Sequence, residues 1–514
     1  MIKLIKNGIV ILLLLASLVI ASAAQYYAVL YENSSLDEVI FYLNTGLEGA
    51  DLSVITNFFI DQWMVLLLTL IIVFAPIFTL TKNNYYIALA IKQKKITLNF
   101  FPLVKSYKFK LAYAISIFIA SILFSYHAIG INAYLKQLYD YSTFMEEEYV
   151  DPRDVTITFP DEKRNLIIIY LESMETTMMS KENNGGWHYS VMPELENIAL
   201  ENINFSNTYS LGGPFPTSGT TWTIAGLVST TSGLPLKIPI GGNEYTSESF
   251  LSGAVALGDI LEVEGYNLGF MFGSDASFGG RYQYFTKHGG YNIFDLNTAL
   301  ERNLMTPEEE VFWGFEDGKL FEWAKQELID LAKEDKPFNF NLLTVNTHFP
   351  DGYLEKEAEE IHPTKYENVH AYASKQVSNF IDWLKEQDFY SNTTIVLIGD
   401  HNSMKSVDYY ESRIVSEDFE RVTYNAIINS PIEPINEKQR VFSNLDMFPT
   451  MLASMGVEIE GDKLGLGTNL YSTESTLFEK FGIDYVNEEL NKNSVFYNTK
   501  MLQGDYVDLI NSTN

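Results

Sequence analysis

Leu166-Ile167-Ile168-Ile169-Tyr170-Leu171-Glu172-Ser173 decides the fold. Six apolar residues in a row, three of them β-branched, predict a strand buried on both faces. The run ends at a carboxylate. A buried parallel strand that stops there delivers the carboxylate to the C-terminal edge of its sheet, where open α/β sheets bind ligands. Far along the chain, Thr394-Ile-Val-Leu-Ile-Gly399 ends in Asp400-His401 and repeats the device. Asp and His are common ligands of Zn²⁺ and Mn²⁺, and an adjacent pair at one strand end can reach one ion.

Working outward, Asn267–Phe272 and Phe338–Val345 read as two more strands. Pro193–Asn202, Ala254–Glu264, Phe321–Lys333, Val369–Gln387 and Leu445–Met455 read as helices between them. Strand–helix alternation predicts an α/β domain with a mostly parallel central sheet flanked by helices. Its expected extent is 165–514.

Between the two strand-end motifs lies Ser218-Gly-Thr-Thr-Trp-Thr-Ile-Ala-Gly226, after a Gly/Pro-rich approach. The punctuation predicts a loop running into a short helix. A hydroxyl at a helix N-terminus faces free N–H groups, which suits a nucleophile that attacks a phosphoester. An ordinary Ser/Thr-rich turn with an N-cap reads equally well from this stretch alone.

The first 131 residues are different. Three apolar runs, 8–24, 63–81 and 111–131, are expected to span a membrane. The first ends in Ala21-Ser-Ala23 and also reads as a cleavable leader. No Lys or Arg occurs between Lys6 and Lys82, whereas seven lysines and no acid lie from Lys82 to Lys110. Positive charge marks that loop as cytoplasmic and puts everything after residue 131 outside. A multi-pass inner-membrane protein facing the periplasm follows. Residues 132–164 are expected to be a charged tether.

Composition narrows the function. The 514 residues carry 35 Lys+Arg against 66 Asp+Glu, a formal charge of −31. So acidic a surface repels nucleic acid. Cys is 0, which excludes disulfides, thiolate metal sites and thiol nucleophiles.

A strand-end Glu, a Gly-Thr loop and a strand-end Asp-His, in that order, resemble the alkaline phosphatase–sulfatase superfamily. Within it the chain looks like the phosphoglycerol transferase I family of periplasmic glucan synthesis, related to the lipoteichoic acid synthases. The matching stretches are Asp37–Val39, Leu43–Ala50, Tyr170–Ser173, Gly219–Gly226, Ser232–Pro235, Thr347–Tyr353 and Gly399–His401. The resemblance implies one divalent ion, usually manganese, held by Glu172, Thr220, Asp400 and His401. It implies Thr220 as the nucleophile that forms a phospho-threonine, and His348 as a phosphoglycerol contact or proton donor. Arg281 would hold a phosphate oxygen. Phosphatidylglycerol would be the donor, diacylglycerol a product and a periplasmic glucan the acceptor. A lipoteichoic-acid-synthase-like polymerase and a phosphoethanolamine transferase share this core, although the latter typically carry disulfides. A metal-free glycan-binding domain on a membrane anchor is the non-enzyme alternative. Of the other histidines, His288 before Gly289-Gly290 could approach the site.

Overall fold

A computed structural model describes residues 2–30, 36–45, 53–74, 85–91, 94–100, 107–237, 249–416, 418–502 and 504. The chain divides into two compact units, Met1–Glu32 with Asp51–Leu135, and Asn33–Ala50 with Lys136–Asn514.

In the first unit, helices run over Ile2–Leu30, Ser53–Phe74 and Tyr107–Ala128. The stretches Asn7–Ala28 and Tyr107–Ala128 are each 22 residues long. At 1.5 Å per residue that is about 33 Å, enough for a hydrocarbon core of about 30 Å. The helix expected over 63–81 instead begins at Ser53, and 75–81 lie outside the described residues. Its polar start, with Asn57, Asp61 and Gln62, leaves a shorter apolar stretch at Gln62–Ile71. Two helices among the described residues, not three, are therefore long and apolar enough to cross a membrane. They pack through small groups. Ala114 sits against Val10 and Leu14, and the Ser125 hydroxyl donates to the Ile20 carbonyl at 3.3 Å. The lysine-rich loop contains two antiparallel strands, Tyr85–Ile91 and Lys94–Phe100.

The second unit is built on a six-stranded sheet: β1 (Asn165–Leu171), β2 (Asn267–Phe272), β3 (Asn292–Phe294), β4 (Phe338–Leu343), β5 (Thr393–Gly399) and β6 (Asn425–Ile428). The spatial order is β3-β2-β4-β1-β5-β6. All neighbours are parallel except β5 and β6. Every residue of β1, β4 and β5 is buried. Both faces must then be covered. On one face Ile167, Ile169 and Leu171 join Phe340, Leu342, Ile395 and Leu397 in the main core. Val377, Phe380, Ile381 and Leu384 of the Lys365–Lys385 helix close over them. On the other face the Tyr170 hydroxyl meets Thr230 of the Thr223–Ser232 helix at 3.3 Å.

From Lys136 on, the stretch expected as a tether is part of this unit. Val150 pairs with Gly465 in both directions, and Ile157–Thr158 pairs with Glu458–Ile459. Its acids read as solvated surface in the sequence, but its backbone belongs to the domain.

His370, on the Lys365–Lys385 helix, is buried. Its Nδ1–H donates to the Tyr366 carbonyl at 2.9 Å, and its Nε2 has no hydrogen-bond partner among the described residues. Burial, outweighing the Tyr366 hydrogen bond, pushes the imidazole down to about 4 from its ordinary 6.5. The unfolded chain takes up this proton below about 6.5 and the folded one only near 4, so stability falls as pH drops through that window. A shift of this size corresponds to a few kcal/mol at most. His370→Gln should therefore lose less thermal midpoint than the wild type between pH 7 and 4.5. Parallel curves for the two proteins would refute this.

Candidate active and metal site

The C-terminal ends of β2, β4, β1 and β5 are neighbours, and each delivers part of one site. Glu172 follows β1, and Asp400 and His401 follow β5. The β1–β5 register sets Leu171 opposite Gly399, so the two motifs emerge side by side. Ser173 has a left-handed backbone, φ 53°. That turn is costly for a residue with a Cβ. It aims the Ser173 N–H at Asp400 Oδ1, 2.8 Å away, and the Ser173 hydroxyl donates to Glu172 Oε1 at 2.8 Å. The His401 N–H also donates to Asp400 Oδ1, at 2.8 Å. The His401 Nδ1–H donates to the Asn402 carbonyl at 2.8 Å, which turns Nε2 toward the carboxylates.

What remains is a set of side-chain atoms turned toward one another. Asp400 Oδ2 and His401 Nε2 are buried and make no hydrogen bond among the described residues. His401 Nε2 lies 3.4 Å from Glu172 Oε1 and 3.5 Å from Asp400 Oδ2. One ligand atom from each of Glu172, Asp400 and His401 falls within 4.8 Å of the others. Burial, then the charge of Glu172, pushes Asp400 well above the carboxylate range. Burial would lower His401, but Asp400 and Glu172 overcome it and hold the imidazole up, at about 10. Two buried carboxylates are thus drawing positive charge onto the His401 imidazole. A divalent cation meets that demand with oxygen and nitrogen ligands of ordinary kind, so the donor set fits a metal.

Thr220 is not brought to this cluster. Its hydroxyl donates to the Thr217 carbonyl at 2.9 Å and accepts from the Thr217 N–H at 3.2 Å, closing a local turn. Thr223 is. It is the first residue of the Thr223–Ser232 helix, and its hydroxyl donates to Glu172 Oε2 at 3.3 Å. The expectation placed on Thr220 therefore moves three residues on, to Thr223. The signal was present in the sequence: Thr223 opens the apolar helical run, whereas Gly219-Thr220 still belongs to the loop. Gly226 permits the placement. A Cβ there would lie 2.2 Å from the Asp400 carbonyl oxygen, so only glycine lets this helix rest on the metal-side turn.

Arg281 and His348 come to the same place from β2 and β4. With Glu172 and Thr223 they line a pocket of about 500 Å³ that also touches Tyr42 and Trp313. Arg281 is 8% exposed. Its guanidinium lies 4.7 Å from the Phe272 ring centre and donates from Nη2 to the Asp275 carbonyl at 3.0 Å. Its Nε is buried without a hydrogen-bond partner among the described residues. The His348 Nδ1–H donates to the Phe349 carbonyl at 2.9 Å, which leaves Nε2 as its working atom.

Other groups hold the turns. Arg421 donates twice to Glu175, at 2.7 and 2.8 Å, and once to the Ser403 carbonyl at 2.9 Å. This pair, with Glu175 buried and Arg421 half-buried, ties the loop after Glu172 to the loop after His401. Neither residue carried a sequence signal, because the pair forms only when β1 and β5 are adjacent. His288 is not in the site. It is buried between Asp259, at 2.8 Å from Nδ1, and the Phe250 carbonyl, at 2.9 Å from Nε2.

The sequence profile of the Sulfatase family matches residues 164–457, more than half of the chain. The chain belongs to the sulfatase family. This sulfatase-family chain is 30% identical over 256 residues to a phosphoglycerol transferase I of Escherichia coli (strain SMS-3-5 / SECEC). The match covers 48% of this chain and 32% of the relative, so the chain spans about a third of that longer protein. The lipoteichoic acid synthase LtaP of Listeria monocytogenes shares the fold, with TM-score 0.50 and 20% identity over 64% of this chain and 81% of that one.

Proposed function

We propose that this protein is a membrane-anchored phosphotransferase that takes phosphoglycerol from phosphatidylglycerol, holds it on Thr223, and passes it to a glycan. The observation that carries the reading is the Thr223 hydroxyl on Glu172, beside a buried Asp–His pair with unpartnered donor atoms.

Glu172, Asp400 and His401 would hold one divalent ion, manganese by resemblance to the family. Such an ion supplies positive charge that eases deprotonation of a nearby hydroxyl and offsets charge on phosphoryl oxygens. The chain's own residues do the rest. Glu172 orients the Thr223 hydroxyl toward the pocket. Thr223 Oγ attacks phosphorus as its proton passes to Glu172 Oε2, to which it already donates, and the bond from phosphorus to the diacylglycerol oxygen breaks. His348 Nε2, when protonated, is placed to give that oxygen its proton. Arg281 presents its unpartnered Nε–H to a phosphate oxygen in a buried setting, where such a contact is strong. A sugar hydroxyl then attacks the phospho-Thr223 and regenerates the threonine. The membrane helices would keep the site at the bilayer, where the donor headgroup lies.

The full chain in vesicles with Mn²⁺ tests this. Diacylglycerol should be released from phosphatidylglycerol and not from phosphatidylethanolamine. Release from phosphatidylethanolamine alone would keep the chemistry and replace the donor. Release from neither, with metal bound, would overturn the transferase reading and favour a binding domain.

A further inference from the structure

Most of the pocket's lining follows β1, β2 and β4 or opens the Thr223–Ser232 helix, but Tyr42 comes from far earlier in the chain. The helix Leu36–Thr45 lies in sequence between two hydrophobic helices, yet its described residues belong to the same compact unit as 136–502. Phe41 anchors it. That side chain is fully buried, meets Phe250 edge-on at 6.2 Å, and lies 2.8 Å from where a Cβ on Gly280 would be. Gly280 therefore admits the helix, and Arg281 follows it directly. Tyr42, the next residue, is half-buried and lines the pocket. Its ring stacks on Phe278 at 5.0 Å and 6°, Phe278 stacks on Trp313 at 5.5 Å and 27°, and Trp313 meets His348 at 5.1 Å.

Tyr42 adds its aromatic ring to a pocket that Glu172, Thr223, Arg281 and His348 also line. A pocket charged on one side and aromatic on the other suits a ligand with an ionised phosphate at one end and carbon at the other. We propose that Tyr42, Phe278 and Trp313 form a substrate platform, completed by the Leu36–Thr45 segment, that takes the hydroxylated carbon skeleton attached to the phosphate. That skeleton is the donor's glycerol or the acceptor's sugar. The proposal rests on the phosphotransferase reading and names where the non-reacting part of its substrate sits. Tyr42 is a binding residue here, not a catalytic one.

Two arms test it on the full chain. The first is independent of activity. The chain has no cysteine, so Tyr42→Cys with Phe278→Cys can be joined selectively by a short bis-maleimide. An intramolecular crosslink is expected, and its absence would overturn the docked wall. The second measures kinetics. Tyr42→Ala should raise KM about tenfold with kcat little changed, and Tyr42→Phe should restore it, as expected for a lost stacking contact. A rise for phosphatidylglycerol assigns the platform to the donor's glycerol, and a rise for the glucan alone assigns it to the acceptor. Unchanged KM for both would overturn the proposal. Should the wild type turn over neither lipid, the transferase reading fails separately. Calorimetric binding of glycerol 1-phosphate then decides the platform: weaker in Tyr42→Ala supports it, unchanged overturns it.

Discussion

Thr223→Ala should abolish diacylglycerol release while the protein stays folded and binds its cation, and Thr220→Ala should not. The two hydroxyls are three residues apart and do different things. Thr220 spends both its hydrogen bonds on Thr217 within one turn. Removing them costs about 1 kcal/mol each at most, as loss of a neutral local hydrogen bond. Turnover should stay within a few-fold. Thr223 points its hydroxyl at Glu172, from the first turn of a helix whose position is fixed by the absent side chain of Gly226. Deleting a nucleophile that acts in a covalent mechanism typically costs at least ~10³ in turnover. Rapid quench with labelled phosphatidylglycerol should trap label on the wild-type chain, and peptide mapping should place it on Thr223. Label on Thr220, or full turnover by Thr223→Ala, would sink the assignment.

The exchange of Thr220 for Thr223 shows what the sequence made legible. The strands β1 and β2 are where the apolar runs put them, because an unbroken buried run allows few alternatives. The short strands β3 and β6 went unread: three and four residues carry too little periodicity to separate from loop. Glu172, Asp400 and His401 were legible because a strand end fixes where its next residue goes. Thr223 was legible only in part: it opens the apolar helical run, but a loop entering a helix fixes position only approximately, and four hydroxyls lie within Ser218–Thr223. Tyr42 and the Glu175–Arg421 pair were illegible for another reason. Each depends on a contact between segments far apart in the chain, and nothing local encodes it. The aromatic stack on Phe278 follows from where the Leu36–Thr45 helix lands, which hydropathy alone does not say.

Asp400→Asn should separate cation binding from folding. Asp400 is buried beside Glu172, and its Oδ2 has no hydrogen-bond partner among the described residues. Its carboxyl is pushed well above the usual range by burial and by Glu172. A carboxyl raised in this way stabilises the fold fully below its unfolded pKa of about 3.9, and that contribution is lost as pH rises toward the folded value. At neutral pH the unfolded chain therefore gains what the folded site resists, and the aspartate is a liability. Asparagine keeps the oxygen that accepts from the Ser173 and His401 N–H groups and removes the charge. In chelator, then, Asp400→Asn should melt no lower than the wild type, and higher as pH rises from 5 to 8. With Mn²⁺ the order should reverse. A cation at about a thousand times its Kd adds about 4 kcal/mol to the chain that binds it. The wild-type midpoint should climb with Mn²⁺ concentration, and that of the variant should stay flat. A variant that melts far below the wild type in chelator would show that Asp400 holds the two turns together through its charge. A variant that still gains stability from Mn²⁺ would place the cation somewhere other than Glu172, Asp400 and His401.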